Sequence, residues 1–551
     1  MKYFQGKSVY KGVVMGPAVV VSKSDQQVPY KKIEDVHKEV ARLQKAIDCS
    51  RQQLQSLYDK AIAEIGKAGA AIFEVHQMML EDKSFLTSAT QMIEAEQVNA
   101  EYAVWMVSNQ YVQKFSAMDD ELMQARAADI KDVSKRLIVN LDGNEKTAHG
   151  ITVPSIIFAD DLSPSETMQM EKEKILAFVT VRGSVNSHTA VLARMMNVPA
   201  LVGVSLKLEE ITNGTIAAVD GFRGEVILEP DEETGERINL EITRYAERLK
   251  LLQELKGKEN ITLDGRKIKI SANIGSVEDI KAVWENDACG IGLFRSEFLY
   301  LGRSDFPTEE EQYKAYKQVA EDMKGQKVII RTLDIGVDKQ VDYFHLGKEE
   351  NPALGYRGIR ICLKEPEVFK VQLRALLRAA ACGNLAVMYP MITSVEEVEQ
   401  IKEILEEVKK ELKEAGIPYR IPAQGVMIET PAAVMISDEL AEAVDFFSIG
   451  TNDLAQYTLA VDRQNEKLDD FYNPYHKALL RMIKMVVDNA HKHGKCVGIC
   501  GELGADTAMT ETFMRMGVDE LSVAPSMVLP LRKIIREMVC EDSKCILEES
   551  V

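Results

Sequence analysis

The chain has 551 residues, 46% of them hydrophobic, and a formal net charge of −19 at pH 7. That length has room for roughly three or four domains, and the acidic balance argues against nucleic-acid or anionic-membrane partners and favours small substrates or a basic protein partner. The sequence has no cleavable apolar signal at its start and no run of about 18 apolar residues, so we expect a cytoplasmic protein without a membrane segment.

The first part of the chain predicts a small α/β domain that is interrupted by helices. Short apolar runs bounded by Gly and Pro predict strands at 7–22, 151–158, 175–181, 200–204 and 215–228. No proline occurs between Pro29 and Pro154, and apolar residues recur there every three or four positions, which is typical of helices. We therefore predict an α/β domain formed by residues 1–28 and 145–230, with an all-helical domain inserted at 29–144.

The inserted helical domain is acidic. Residues 61–130 contain eleven acidic and four basic side chains, which predicts that a basic protein partner is steered to this surface. Glu74, Glu81 and Asp82 are the expected contacts, and His76 is a further candidate, although a histidine at helical spacing is more often structural. Acidic helices are also commonly just solvated surfaces, so this second interpretation stays open.

A histidine stands at the start of a short predicted helix. Small and polar residues lead from Gly183 to His188, Ala190 and Ala193 continue the helix, and Pro199 lies just beyond its end. The free N–H groups of a helix N-terminus disfavour imidazolium and can donate to a phosphoryl group. His188 is therefore predicted to be an exposed, neutral nucleophile for phosphorus, with an ordinary surface histidine as the alternative.

The remainder of the chain predicts a barrel. Residues 231–258 are charged with helical spacing and predict a connecting helix. Beyond them, about eight strand-and-helix units predict a TIM (β/α)8 barrel over residues 259–551, with a long open α/β sheet as the competing fold. The predicted strands are 267–274, 290–295, 327–331, 386–390, 424–428, 446–449, 495–499 and 519–523.

Polar side chains stand at the carboxyl ends of five predicted barrel strands. They are Arg295, Arg331, Glu429, the pair Asn452 and Asp453, and Cys500. Because these ends form the catalytic face of a TIM barrel, we predict an active site there. Glu429 and Asp453 are a sparse ligand set that Mg²⁺ accepts when substrate oxygens and water complete its octahedron. The arginines, together with Arg357 and Arg463, predict a multiply charged anionic substrate.

Eight motifs follow one another along the chain. They are Leu-Ser-Pro-Ser-Glu-Thr at 162–167, Asn-Ser-His-Thr at 186–189, Gly-Ile-Gly-Leu-Phe-Arg-Ser-Glu-Phe at 290–298, Arg-Thr-Leu-Asp-Ile-Gly at 331–336, Asn-Pro-Ala-Leu-Gly-Tyr-Arg at 351–357, Ile-Glu-Thr-Pro-Ala-Ala at 428–433, Ser-Ile-Gly-Thr-Asn-Asp-Leu-Ala-Gln-Tyr at 448–457, and Cys-Gly-Glu-Leu at 500–503. In this combination and order they resemble the Enzyme I family of the bacterial phosphoenolpyruvate-dependent sugar phosphotransferase system. The resemblance covers essentially the whole chain.

The resemblance implies an enzyme that passes phosphorus from phosphoenolpyruvate through its own histidine to the phosphocarrier protein HPr, releasing pyruvate, as the first step of sugar uptake. It implies that His188 is phosphorylated beside the hydroxyl of Thr167, and that Cys500 protonates the enolpyruvate carbon. Glu429 and Asp453 would hold Mg²⁺. The implied substrate-binding residues are Arg295, Arg331, Arg357, Lys339, Asn452 and Arg463.

The resemblance also implies that the helical insertion docks HPr, that the barrel forms a homodimer, and that the α/β domain swivels. A hinge near residues 228–260 is expected, because His188 must meet both the substrate and a protein acceptor. The connecting helix is either a coupling element or a rigid spacer. The family usually has Gly-Gly-Arg-Thr-Ser-His-Thr where this chain has Gly183-Ser-Val-Asn-Ser-His-Thr. This departure leaves the stabilisation of the phosphohistidine open.

Three alternative functions compete with this interpretation. Pyruvate phosphate dikinase and phosphoenolpyruvate synthase share the histidine and the barrel, but they need an ATP-binding domain, for which no segment is left. A metal-dependent lyase or aldolase barrel would leave His188 and the helical insertion without a role. A catalytically silent scaffold would require the loss of several site residues, all of which are present.

Overall fold

The computed structural model describes the backbone of the chain apart from residues 22–27, 118–120, 144–150, 184–186, 197, 302, 304, 337–340, 348, 464 and 541–551. Within helices, the side chains of residues 63–69, 71, 83, 121–125, 188, 195, 342, 466 and 469 also lie outside the described part. The chain divides into two compact units, Met1–Leu249 and Lys250–Val551.

The first unit contains a mixed sheet of eight strands. The strands are β1 (Lys2–Gln5), β2 (Lys7–Tyr10), β3 (Val13–Val21), β4 (Ser155–Ala159), β5 (Ile175–Thr180), β6 (Ala200–Val202), β7 (Ile216–Asp220) and β8 (Glu225–Leu228). Their order is β1-β8-β7-β3-β4-β5-β6-β2, with parallel pairing from β3 through β6. The central strands β4 and β5 are almost wholly buried, which explains their continuous apolar runs.

Two of the predicted strands are each divided in the structure. The run at 7–22 forms β2 and β3, which pair with different neighbours, β2 with β6 and β3 with β4 and β7. The apolar run at 215–228 divides into β7 and β8, which pair antiparallel. The turn between them is stabilised by Asp220, whose Oδ1 accepts the backbone N–H groups of Phe222 at 2.8 Å and Arg223 at 3.1 Å. Gly224 completes the turn at a φ of 71°, which a glycine adopts without strain. Strand β1, which pairs with β8, was not predicted.

Seven helices belong to this part of the chain, among the described residues. They are α1 (Val36–Glu81), α2 (Lys83–Glu96), α3 (Ala100–Ser116), α4 (Glu121–Asp142), α5 (Pro164–Gln169), α6 (His188–Met196) and α7 (Glu232–Gln253). Helix α1 begins at an N-cap, Asp35, whose side chain accepts the N–H of Lys38 at 3.0 Å. Helices α1 to α4 share one apolar core, in which Leu54, Phe73 and Val104 are fully buried. The all-helical insertion is therefore confirmed.

The second unit is a closed barrel of eight parallel strands. They are β9 (Lys269–Ile274), β10 (Gly290–Arg295), β11 (Lys327–Arg331), β12 (Leu385–Tyr389), β13 (Ala423–Ile428), β14 (Phe446–Ile449), β15 (Cys496–Ile499) and β16 (Glu520–Val523). The pairing of β16 with β9 closes the barrel, which rules out the open sheet. The TIM barrel prediction is confirmed, and each predicted strand overlaps an observed one.

The described barrel helices cover the outside of these strands. They are α8 (Ile280–Glu285), α9 (Glu309–Asp322), α10 (Ile359–Lys364), α11 (Pro366–Ala380), α12 (Val395–Glu414), α13 (Pro431–Met435), α14 (Ser437–Ala443), α15 (Thr451–Leu459), α16 (Lys477–Lys492), α17 (Thr510–Met516) and α18 (Val528–Glu537). Helix α12 buries Val398, Ile401 and Leu405 at three- and four-residue spacing, as expected for a helix packed on a sheet. In the part of the chain that the structure describes, no helix is both long and apolar enough to span a bilayer.

Candidate active site

The carboxyl ends of the barrel strands bring several of the predicted site residues to one edge of the sheet. Arg295 and Arg331 are register partners at the ends of β10 and β11. Glu429 follows β13, and Cys500 follows β15. Ile449, which ends β14, pairs with Ile428 on one side and Ile499 on the other, so the residues after these three strands emerge next to each other.

A buried aspartate joins two of the predicted substrate arginines. Asp334 is 2% exposed, and its Oδ2 lies 2.9 Å from Nη1 of Arg331 and 3.0 Å from Nη2 of Arg357. Its Oδ1 accepts further hydrogen bonds from Nη2 of Arg357 at 3.1 Å and from Nε at 3.3 Å. A carboxylate that accepts several hydrogen bonds from one guanidinium fixes the orientation of the guanidinium plane and compensates its charge. Asp334 therefore orients both arginines.

Arg331 has a second carboxylate partner. Its Nη2 donates to Oε1 of the buried Glu297 at 2.7 Å. Burial alone would lower the pKa of Arg331, but Glu297 and Asp334 reverse that effect and raise it above its ordinary value. For Arg357, Asp334 and Asp453 likewise outweigh burial and raise the pKa. Both guanidinium groups thus stay charged although they are nearly buried.

Of the two predicted metal ligands, Glu429 is the more deeply buried. It is 1% exposed, and its Oε1 accepts the backbone N–H of Met391 at 2.7 Å. Gly450 allows its close packing, since a Cβ at that position would lie 2.9 Å from Glu429 Oε2. Burial raises the pKa of Glu429 to about 8, and the negative charges of Asp453 and Asp334 add to the effect.

The second predicted metal ligand, Asp453, lies in the first turn of α15. Its Oδ2 is 3.4 Å from Nη2 of Arg357, and its Oδ1 is 3.5 Å from Nη2 of Arg463. Among the described residues, no group of three or more His, Cys, Asp or Glu side chains is arranged to hold a metal ion. Two neighbouring carboxylates, one of which is hard to ionise, fit a divalent cation that takes its other ligands from substrate and water.

Cys500 and Asn452 lie near these carboxylates. Cys500 is 3% exposed, and its Sγ lies 3.6 Å from the carbonyl oxygen of Ile449. Burial raises the pKa of the Cys500 thiol to about 11, although a hydrogen bond with Ser448 works in the opposite direction. The thiol is therefore protonated at neutral pH. Asn452 accepts the backbone N–H of Glu502 through Oδ1 at 3.0 Å, which fixes its amide.

The other predicted substrate-binding residues differ in how many contacts hold their side chains in place. Arg295 is exposed, and its guanidinium has no hydrogen bond or ion pair among the described residues. Arg463 is 35% exposed at its side chain and touches the site through Asp453. Lys339 lies outside the described residues.

His188 is the first residue of α6 in the first unit, and its side chain lies outside the described part. Ser187 caps this helix, since its Oγ accepts the N–H of Ala190 at 3.3 Å. Helix α5, which carries Thr167, packs against α6. Thr167 is fully buried and donates to the carbonyl of Ser163 at 3.0 Å. The neighbouring Thr189 donates to the carbonyl of Leu162 at 3.0 Å.

The predicted partner contacts lie around the junction of α1 and α2. Glu74 accepts a hydrogen bond from the Tyr58 hydroxyl at 2.6 Å. Glu81 is exposed and lies 3.7 Å from Arg51, and Asp82 caps α2. His76 is not a surface residue, because it is fully buried and its Nε2 lies 3.3 Å from Asp129 Oδ1.

The sequence analysis missed two carboxylates that contact the predicted substrate arginines. Glu297 and Asp334 both lie within the motifs that carried the resemblance, two and three residues after an arginine. A signal was available, since an acidic residue directly after a strand-end arginine is a candidate to orient it. No sequence spacing, however, indicates that Asp334 also reaches Arg357, which is 23 positions away.

Known families and relatives match this chain along its length. The family described as "PEP-utilising enzyme, PEP-binding domain" matches residues 250–540. The N-terminal domain of PEP-utilising enzymes matches residues 5–126, and their mobile domain matches residues 151–224. A curated phosphoenolpyruvate-protein phosphotransferase of Priestia megaterium is 42% identical over 98% of this chain and 94% of its own length. That of Bacillus subtilis (strain 168) is 41% identical over 100% of this chain and 97% of its own. A solution structure titled Enzyme I is 33% identical with a TM-score of 0.38, covering 44% of this chain and 99% of that one.

The matched domains are those of PEP-utilising enzymes, and the chain has both the barrel with its arginine and carboxylate site and the histidine helix α6. The protein is therefore a PEP-utilising enzyme. The chain belongs to the phosphoenolpyruvate-protein phosphotransferase family. The resemblance to Enzyme I drawn from the motifs is confirmed.

Proposed function

We propose that this chain transfers the phosphoryl group of phosphoenolpyruvate to its own His188 and then to a histidine of the phosphocarrier protein HPr. In the first step the bond between phosphorus and the enol oxygen breaks, and a bond between phosphorus and an imidazole nitrogen forms. The enolpyruvate left behind takes a proton on its methylene carbon and becomes pyruvate. In the second step the phosphoryl group moves from His188 to the acceptor histidine.

The observation that carries the proposal is the pair of buried, charged arginines at the barrel edge. Arg331 and Arg357 are held by Asp334, and the buried Nε of Arg331 has no hydrogen-bond partner among the described residues. A buried donor without a partner is costly, and an anionic substrate oxygen would satisfy it. Phosphoryl transfer depends mainly on positioning and on neutralising charge, which are the tasks of such arginines.

Further roles are proposed for the residues around these arginines. Arg295, Arg463, Asn452 and Lys339 complete the binding of the phosphate and carboxylate groups. Cys500 donates the proton to enolpyruvate, because its thiol is buried and protonated at neutral pH. Thr167 supports the imidazole of His188.

Glu429 and Asp453 are the residues that would hold Mg²⁺. The ion would supply charge neutralisation at the phosphate and carboxylate oxygens of the substrate. The proximity of Glu429 to Asp453 supports this assignment, because the negative charge of Asp453 contributes to the raised pKa of Glu429 and a divalent cation between them would relieve that repulsion. Removing divalent ions with a chelator is therefore expected to abolish phosphorylation by phosphoenolpyruvate.

The remaining proposals concern partners and setting. Residues 29–144 dock HPr, with Glu74, Glu81 and Asp82 among the contacts, and the barrel at 259–551 forms a homodimer. The α/β domain at 1–28 and 145–230 swivels about the connecting helix at 231–258. The reaction takes place in the cytoplasm as the first step of sugar uptake. A phosphoenolpyruvate synthase or dikinase activity is disfavoured, because the curated relatives that match almost the whole chain at about 40% identity are phosphoenolpyruvate-protein phosphotransferases.

The proposed function can be tested by labelling the full chain. The protein is incubated with Mg²⁺ and phosphoenolpyruvate labelled with ³²P, and the acid-labile label is mapped by peptide analysis. We expect one label, at His188, without ATP. The variant His188→Ala should take no label, while the control His37→Ala, which removes an exposed histidine of α1, should be labelled normally. Label that survives in His188→Ala would refute the assigned nucleophile.

A further inference from the structure

A cavity of about 300 Å³ lies in the first unit, between the turn that joins β7 to β8 and one face of α7. Its walls include Phe222 and Arg223 from the turn, and Arg244, Tyr245 and Arg248 from the helix. We call it the α7 cavity. Neither the histidine helix α6 nor the barrel contributes to it, so the proposed transfer reaction leaves it without a role.

The charge balance of the α7 cavity is positive although the chain as a whole is acidic. Its two carboxylates, Asp220 and Glu241, lie 3.6 and 3.5 Å from the guanidinium of Arg223, which neutralises much of their charge. Glu241 also lies 3.3 Å from Arg237. Within the described part of the chain, Arg244 and Arg248 form no salt bridge and no side-chain hydrogen bond. Two guanidinium groups are thus available at the cavity wall.

The spacing of these two arginines suits a single tetrahedral anion. Arg244 and Arg248 are four residues apart on α7, so their side chains leave the same face of the helix one turn apart. A guanidinium presents a planar fork of N–H donors, and two such forks on one side match the oxygens of one phosphate group. A phosphate group therefore fits this wall.

The cavity wall also contains two aromatic residues. Phe222 is 49% exposed, and its ring centre lies 5.5 Å from that of Tyr245 at an interplanar angle of 69°. Half of the Phe222 side chain is thus open to contact, and aromatic rings stack favourably on such faces and beside guanidinium groups. The cavity volume lies at the small end of the range for organic ligands, about 300 to 1,000 Å³.

We propose that the α7 cavity binds a small phosphate ester that carries a planar ring, of the class of a nucleoside monophosphate. The phosphate lies between Arg244 and Arg248, and the ring covers Phe222. A dinucleotide is too large for a cavity of about 300 Å³. The site is separate from the phosphoenolpyruvate site and is expected to be occupied whether or not that substrate is bound.

The proposal can be tested by titrating the full chain with AMP in a calorimeter. Adenosine provides the ring alone, and inorganic phosphate provides the anion alone. We expect AMP to bind at least about tenfold more tightly than either, because it combines ring stacking with charged hydrogen bonds. The double variant Arg244→Gln, Arg248→Gln should weaken AMP binding at least about 30-fold, since two charge-assisted interactions are lost. Lys250→Gln, on the same helix but outside the cavity wall, is the matched control and should bind normally.

Four results would overturn the assignment. They are an absence of AMP binding at millimolar concentration, equal AMP affinity in the double arginine variant, displacement of AMP by phosphoenolpyruvate, and inorganic phosphate binding as tightly as AMP. The third would place the nucleotide in the barrel, and the fourth would remove the ring from the ligand. A weaker affinity for AMP in Phe222→Ala, with phosphate binding unchanged, would support the stacking of the ring on Phe222.

Discussion

Asp334→Asn is the substitution from which we expect the clearest effect on the active site. The aspartate is the shared partner of Arg331 and Arg357, at 2.9 and 3.0 Å, and it is buried. Asparagine has the same shape but no charge, so it keeps one acceptor and loses the attraction to two cations. Breaking a buried ion pair by removing one partner costs about 3 to 5 kcal/mol. That cost is a loss of folding stability. For catalysis, we expect arginines that are no longer held in place to lower kcat/KM roughly a hundredfold, which corresponds to about 3 kcal/mol of transition-state stabilisation.

The assay measures pyruvate release from phosphoenolpyruvate, with HPr as acceptor and lactate dehydrogenase as the coupling enzyme. The matched control is Asp287→Asn, which also removes a carboxylate that pairs with a buried arginine, Arg532, but stands before β10 rather than after a strand end. Asp287 has a φ of 57°, which asparagine tolerates. We expect the control to lower the melting temperature with little change in kcat/KM. An Asp334→Asn protein with wild-type kcat/KM would refute the role of this carboxylate, and equal losses in both variants would show a general loss of barrel stability instead.

Two further predictions concern the proton donor and the α5 helix. Cys500→Ala should slow pyruvate formation by about 10² to 10⁴-fold, the usual contribution of a positioned acid, and an undiminished rate in a coupled assay would remove Cys500 as the donor. Burial favours a high pKa for Glu166, but Lys135, at 2.7 Å, and the backbone N–H of Ser163 outweigh it and hold that pKa below 4.5. This ion pair stabilises the fold above the ordinary pKa of Glu166, and its contribution is lost as the pH falls through the lowered pKa. Lys135→Met should therefore lower the free energy of unfolding by about 1 kcal/mol or less at pH 7 and by less still at pH 3, measured by urea titration; a pH-independent difference would contradict this account.

Much of the fold was predictable because it depends on local patterns. The barrel strands are short apolar runs flanked by turn-forming residues, and the predicted segments overlap all eight of them. The inserted helices follow from a long interval without proline. The exceptions are the runs at 7–22 and 215–228, each of which divides into two strands. In the second run, Asp220-Gly221 and Gly224 form the turn of a hairpin between the two apolar segments. The prediction joined the two apolar segments into one strand and passed over this turn signal.

The sequence by itself determined which residues end the barrel strands, and therefore that Arg331, Glu429 and Cys500 share one edge. Tertiary structure decided which side chains meet there. Arg357 lies 96 positions before Asp453, yet the two are 3.4 Å apart, and His76 is buried beside Asp129, 53 positions along the chain. The physical reason is that strand ends are set by local hydrophobic and turn signals, whereas ion pairs depend on how barrel closure and helix packing bring distant segments into contact. Charge and burial at such contacts also set the pKa values on which the chemistry depends.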